Sequence, residues 1–295
     1  MADQTKPTTP RAPLAYENET FLKGPDGRPL RILAEYTEPL ARFRREKIQD
    51  TVVFFGSARF RSLSSAEEAV QLLASPGSAE AAPEHEQQAY RAQRVVDMAQ
   101  YYEAARSLAH MLTDWTLTLP GKRHRFVVTT GGGGGIMEAA NRGAHEAGGK
   151  TIGLNIALPC EQEPNPYITP ELNFEFHYFF MRKLWFAYLA KALVVFPGGF
   201  GTLDELFEIL TLAQTEKLAK KMNVLLYGEQ YWRRVLNLEF LADAGTIAPE
   251  DVNLFQFVDS PEDAFAKLQE SLIRDHLEFP PQAKSLSPEI ATTRR

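Results

Sequence analysis

The chain of 295 residues has one cysteine, Cys160, and no excess of positive charge. A single thiol forms no intrachain disulfide and builds no cysteine-based zinc site. The first 25 residues lack the apolar core of a secretory signal, and no uninterrupted apolar run reaches the length of about 18 residues that marks a spanning helix. Lys and Arg number 32 against 38 Asp and Glu, a formal net charge of −6. Domains whose main partner is a phosphate backbone carry the opposite balance, so neither nucleic acid nor membrane is an expected partner. The remaining composition, 44% hydrophobic and 24% charged, is that of a soluble globular protein with a large core, expected in the cytoplasm.

Residues 1–20 and 281–295 are polar and proline-bearing, and both are expected to be mobile ends around a single domain, 21–280. Inside that domain short β-branched runs alternate with helical patterns. TVVFFG (51–56), RFVVTT (125–130), TIGLNIAL (151–158), KALVVF (191–196) and NVLLYG (223–228) read as buried strands, with FQFVD (255–259) as a weaker sixth. Residues 84–115 read as a long amphipathic helix. Ile136, Ala140, Gly143 and Ala147 mark a helix with a small-residue face suited to packing on a sheet. The stretch 31–46 reads as an amphipathic helix outside the sheet. Segment 61–83 reads as an insertion holding a short helix, Ser64 to about Ala74, and a loop. The expected fold is α/β, a Rossmann-like open parallel sheet with helices on both faces.

Two strand ends carry glycine clusters that open into helices, TTGGGGGIMEAANRG (129–143) and FPGGFGTLDELFE (196–208). Glycine there permits positive φ and close approach of a ligand, and the following helix start offers free N–H groups to an anion. Neither cluster is a dinucleotide fingerprint, because Ile136 stands where GxGxxG needs glycine and the next strand ends in Ala157, Leu158 and Pro159 without a ribose-binding acid. Neither has the Lys-Ser or Lys-Thr of a P-loop. Plain tight turns would explain one such cluster; two on one sheet favour a mononucleotide or sugar-phosphate pocket.

Glu205 has two readings at this point. Thr202-Leu203-Asp204-Glu205 is a capping box in which Thr202 starts the helix and Glu205 bonds back to it. Alternatively, with Leu203, Leu206, Phe207 and Leu210 as the buried stripe, Glu205 lies nearly opposite that stripe and close to the glycine turn. Arg182 and Lys183 fall in the first turn of a helix, where its dipole disfavours cations; solvation explains this, as does a nearby anion. FEFHYFF (174–180) reads as core and pocket wall. His177 has no companions at metal-ligand spacing, and no metal or cofactor is expected. Cys160 has no nearby histidine and reads as a bystander.

PGGFGTLDE (197–205) matches the PGGxGTxxE signature of the Lonely Guy (LOG) family, the cytokinin riboside monophosphate phosphoribohydrolases once taken for lysine decarboxylases. The run TTGGGGGIMEAANRGAHEAGGKTIGLNIALP resembles that family's first glycine motif. Phe179-Phe180-Met181-Arg182-Lys183 stands where many members have Met-His-x-Arg-Lys, so Phe180 replaces the histidine. The resemblance covers about residues 50 to 230. The N-terminal helix, the 61–83 insertion and the C-terminal extension exceed the short plant-type enzymes and look like a longer bacterial subgroup.

The resemblance implies hydrolysis of the N-glycosidic bond of a purine nucleoside 5′-monophosphate. Arg182 and Glu205 align with the catalytic pair, and Gly198, Gly199, Gly201 and Thr202 with the phosphate-binding turn. Lys183, Gly56, Ser57 and Gly132, Gly133, Gly134 and Gly135 are expected to line the rest of the substrate site, with Glu138 reaching the sugar hydroxyls. A homodimer or larger homo-oligomer, with pocket residues near the subunit contact, is also implied. The alternative from another class is a binding or carrier protein, because related proteins with similar glycine turns hold molybdenum cofactor without cleaving a nucleotide. Pyridoxal phosphate chemistry finds no support, since it needs a Schiff-base lysine and Lys183 is the only lysine inside a candidate motif.

Overall fold

A computed structural model describes residues 11–74, 82–159, 163–218 and 220–277. In chain order the elements are α1 (Glu19–Lys23), α2 (Arg28–Arg45), β1 (Thr51–Phe55), α3 (Leu63–Ala74), α4 (Ala82–Leu117), β2 (Val127–Thr130), α5 (Ile136–Glu146), β3 (Thr151–Ile156) and β4 (Asn173–Phe176). They continue as α6 (Phe179–Leu189), β5 (Ala190–Val195), α7 (Phe200–Gln214), β6 (Asn223–Tyr227), α8 (Glu229–Val235), α9 (Leu238–Asp243), β7 (Gln256–Val258) and α10 (Pro261–His276). Cys160, 1–10 and 278–295 lie outside the described residues, as does the loop part of the insertion at 75–81. Within the stretch read as a mobile end, Ala15–Glu17 form a 3₁₀ turn and Asn18 caps α1 by accepting the Phe21 N–H at 3.2 Å.

The seven strands form one wholly parallel sheet in the order β4-β3-β2-β1-β5-β6-β7. From β1 the chain steps outward to β4, then returns through α6 to place β5 on the other side of β1. Strand order therefore reverses between β1 and β5, and the crevice beyond their carboxyl ends is where such sheets bind ligands. Every residue of β1 is buried, as a sheet covered on both faces requires. Val53 and Phe55 face a core with Phe43 of α2, Trp185 and Phe186 of α6 and Leu206 of α7. Val52 and Phe54 face the other core, with Tyr102, Leu108 and Leu112 of α4, Ala140 of α5 and Leu268 of α10. Burying each large apolar side chain contributes about 1.5–3 kcal/mol, which anchors β1 firmly beside the crevice.

Two expectations change. FEFHYFF holds a seventh strand, β4, paired in parallel with β3, with Phe174 and Phe176 buried and Glu175 exposed between them. The small-residue face of α5 packs on α4 as well as on the sheet, because a Cβ at Gly143 would run into the Arg106 carbonyl.

Candidate active site

A cleft of about 690 Å³ opens at the reversal point, lined at the end of β1 by Phe55, Gly56 and Ser57, after β5 by Gly198 and Gly199, and from α7 by Gly201, Thr202 and Glu205. Its floor is pinned by two backbone bonds between the exits of these strands, Phe196 N–H to Phe55 O at 2.8 Å and Ser57 N–H to Pro197 O at 3.0 Å. Arg182 and Phe179 enter from α6, Met98 from α4 and Tyr231 from α8.

The second glycine turn faces the cleft. Gly199 and Gly201 have open space where a Cβ would stand, whereas a Cβ at Gly198 would strike the Thr202 side chain beneath it. Helix α7 begins at Phe200 with no side-chain cap, and its first residues, Phe200, Gly201 and Thr202, line the cleft, so an uncapped helix start of the kind that holds phosphate elsewhere borders the opening. Tyr231 Oη donates to Gly198 O at 2.9 Å and steadies the turn from behind.

The first glycine turn is held by protein groups instead. Asn165 Nδ2 donates to Gly132 O at 3.1 Å, Gly133 O at 3.0 Å and Asn141 Oδ1 at 2.9 Å, and Gly132 N–H donates to Thr130 Oγ1 at 3.0 Å. The Ile136 N–H at the start of α5 donates to Ser57 O at 3.0 Å. Gly132 and Gly135 adopt φ of +78° and +67°, which other residues rarely do. Gly132, Gly133, Gly134 and Gly135 are not among the cleft-lining residues; Gly131 is.

Gly131 lies against the side chains of Arg182 and Met137. A Cβ there would approach Arg182 Nη2 to 2.5 Å. The guanidinium is otherwise fixed by Nε donating to Leu154 O at 2.8 Å and by lying 5.1 Å over the Phe186 ring. Burial pulls the Arg182 pKa down, and the field of Glu205 pushes it back up. Glu205 is only 7% exposed, and its carboxylate accepts no hydrogen bond among the described residues. Burial pushes its pKa up to about 7 against the opposing pull of Lys183 and Arg182. Arg182 and Glu205 thus share the cleft and each other's field without a direct ion pair. Gly131→Ala is expected to displace Arg182 and lower turnover about tenfold or more, with a much smaller change in Tm; steady-state kinetics beside a melting curve checks this.

Several sequence readings are corrected. The capping box does not form, because α7 starts two residues before Thr202 with Gly199 at the cap. The buried stripe of α7 is Thr202, Glu205, Leu206 and Ile209, so Glu205 belongs to that stripe, while Phe207 is 37% exposed. Lys183 does not line the cleft; its Nζ lies 2.8 Å from both Asp204 and Glu208, which supply its anion. Glu138 also lies outside the lining, its Oε1 accepting the Tyr102 hydroxyl at 2.8 Å. His177 is exposed and Phe180, half exposed, stays out of the lining, so the residue in the histidine's place does not touch the cleft. Phe179, within the stretch read as pocket wall, does line the cleft, whereas sequence reasoning missed Arg59, Phe60, Met98, Gly131, Asn155 and Tyr231. Asn155 left one signal, as the lone polar side chain inside the apolar run of β3. No group of three or more His, Cys, Asp or Glu suited to a metal occurs among the described residues, and none of their helices is long and apolar enough to cross a membrane.

Fold and cleft together define a Rossmann-like protein with a glycine turn and an uncapped helix start beside a buried carboxylate. In sequence the chain is similar to the Lonely Guy family, as its motifs indicate. A family model described as "Possible lysine decarboxylase" matches residues 137–268. A probable cytokinin riboside 5′-monophosphate phosphoribohydrolase of Arabidopsis thaliana is 28% identical over 172 residues, 58% of this chain and 81% of that protein. The cytokinin riboside 5′-monophosphate phosphoribohydrolase of Rhodococcoides fascians is 33% identical over 117 residues, 39% of this chain and 58% of its own length. Among solved structures, a molybdenum cofactor binding protein of Rippkaea orientalis aligns over 76% of this chain and 98% of its own, at 17% identity and a TM-score of 0.44.

Proposed function

We propose that the cleft hydrolyses the N-glycosidic bond of a purine nucleoside 5′-monophosphate, AMP or an N6-modified AMP, to free base and ribose 5-phosphate. The observation that carries this reading is the presence in one cleft of a buried carboxylate with a pKa near 7 and the open amino end of α7. The names of the relatives support the same reaction. The 5′-phosphate sits on the N–H groups of the Gly198–Thr202 turn, and its binding energy is used at the sugar. As the bond from C1′ to the base nitrogen breaks, positive charge develops on the ribose. Ionised Glu205 stabilises that charge and takes a proton from the water whose oxygen bonds to C1′. The departing base nitrogen takes a proton from solvent, and Glu205 returns the proton it took from the water to solvent, so the carboxylate is regenerated and the net proton count is unchanged. Arg182 offers its free guanidinium N–H groups to sugar or phosphate oxygens, since its Nε is spent on Leu154.

The homodimer belongs to the same reading. Phe200 is 92% exposed and Phe179 53% exposed, leaving apolar surface at the cleft for a second copy to cover. A panel of nucleosides and their 5′-monophosphates, scored for free base, tests the function. The 5′-monophosphates are expected to exceed the matching nucleosides in kcat/KM by about 100-fold or more. Equal turnover with and without the phosphate, or none, contradicts the reading.

A further inference from the structure

Helix α2 lends no residue to the cleft, yet it grips the helix that carries Arg182. Helix α6 starts at Phe179 behind Tyr178, and Tyr178 supplies no side-chain cap. The cap comes from 142 residues away. Glu35 Oε1 accepts the His177 N–H at 2.7 Å and Oε2 accepts the Tyr178 N–H at 3.2 Å. A carboxylate at this end also offsets the helix dipole beneath the two cations of the first turn.

The backbone of Glu35 is engaged too. Within α2 its carbonyl would normally accept the N–H of residue 39, but residue 39 is proline and has none. Trp185 Nε1 takes the vacant acceptor at 2.8 Å. The Trp185 ring is held further by Tyr36 and Phe43, with centroids 5.9 Å and 5.4 Å away. Bonds at residues 177, 178 and 185 therefore bracket Arg182, whose own N–H bonds to Tyr178 O at 3.2 Å.

We propose that Glu35 is a positioning residue for the cleft: it clamps α6 on both flanks of Arg182 so that the guanidinium lies against Gly131 and Leu154. The consequence for turnover rests on the proposed hydrolysis; the positioning itself does not. Two measurements on the full chain therefore test it. The Nε–Hε NMR resonance of Arg182, identified by its loss in Arg182→Ala, is expected to shift or broaden in Glu35→Ala, while other arginine resonances away from α2 and α6 stay in place. This readout needs no substrate, and an unmoved resonance overturns the proposal.

In the second measurement, Glu35→Ala lowers kcat/KM for AMP about tenfold, and Glu35→Gln, which keeps one acceptor, recovers part of that loss. In the Arg182→Ala background the same change costs less than about twofold, because the two residues act as one unit. An equal loss in both backgrounds shows a general structural role and overturns the proposal. A wild-type protein that cleaves nothing removes the hydrolysis reading and leaves the resonance to decide the positioning.

Discussion

Glu205→Gln stops base release from AMP, lowering kcat by about three orders of magnitude, and at the same time makes the protein more stable at pH 8. The two effects have one cause. Burial, with no hydrogen bond to the carboxylate among the described residues, pushes its pKa up to about 7 in the folded chain against 4.5 for a free glutamate. Between those values the folded state holds a proton that the unfolded state has released. Stability from this group is therefore fully present below about pH 4.5 and is lost as pH rises through 7, to a total of about 3 kcal/mol. Glutamine has no charge to bury, so the Tm advantage of the variant appears at pH 8 and vanishes near pH 4.5. Catalysis runs the other way. The mechanism needs the ionised form, so wild-type kcat/KM rises with pH and levels off above about 7. Thermal melts and a pH–rate profile read both trends, and undiminished turnover by the variant removes Glu205 from the mechanism.

Arg182 has the second large effect. Arg182→Ala is expected to cut kcat/KM by about 100-fold or more, since a guanidinium that is mostly buried and fixed to Leu154 O is aimed with little freedom. It also removes a positive charge that lowers the Glu205 pKa, so the rise of kcat/KM with pH moves above 7. Arg182→Lys separates the two roles. It restores the charge and brings the rise back toward pH 7. It does not restore the rate, because an ammonium cannot bond Leu154 O and present a planar fork to substrate together. Recovery of the rate by lysine would show that charge alone suffices.

The sheet was legible where four or five apolar residues run together, as at 52–55 in β1, 192–196 in and after β5 and 224–227 in β6. Strand β4 was not, because its four residues alternate polar and apolar inside a longer aromatic run. At Thr202 the local pattern misled, since a capping box is present in the letters. The helix starts at Phe200 instead, with the Thr202 side chain packed against Gly198 and buried, so Thr202 lies inside the first turn and not at the cap. Arg182 and Lys183 look equivalent in sequence, yet one residue turns a helix by about 100°, so one meets the cleft and the other meets Asp204 and Glu208. Met98 and Tyr231 reach the cleft from distant segments with no local sign of it. The net charge of −6 gave no sign that the second glycine turn and Arg182 share one cleft, because a charge total carries no position.

The most direct measurement is turnover of AMP in ¹⁸O-labelled water, with both products analysed by mass spectrometry. The account predicts adenine and ribose 5-phosphate in equal amounts, one labelled oxygen on C1 of the sugar, and neither product from Glu205→Gln. Label in inorganic phosphate, or nucleotide recovered intact after stoichiometric binding, would contradict it.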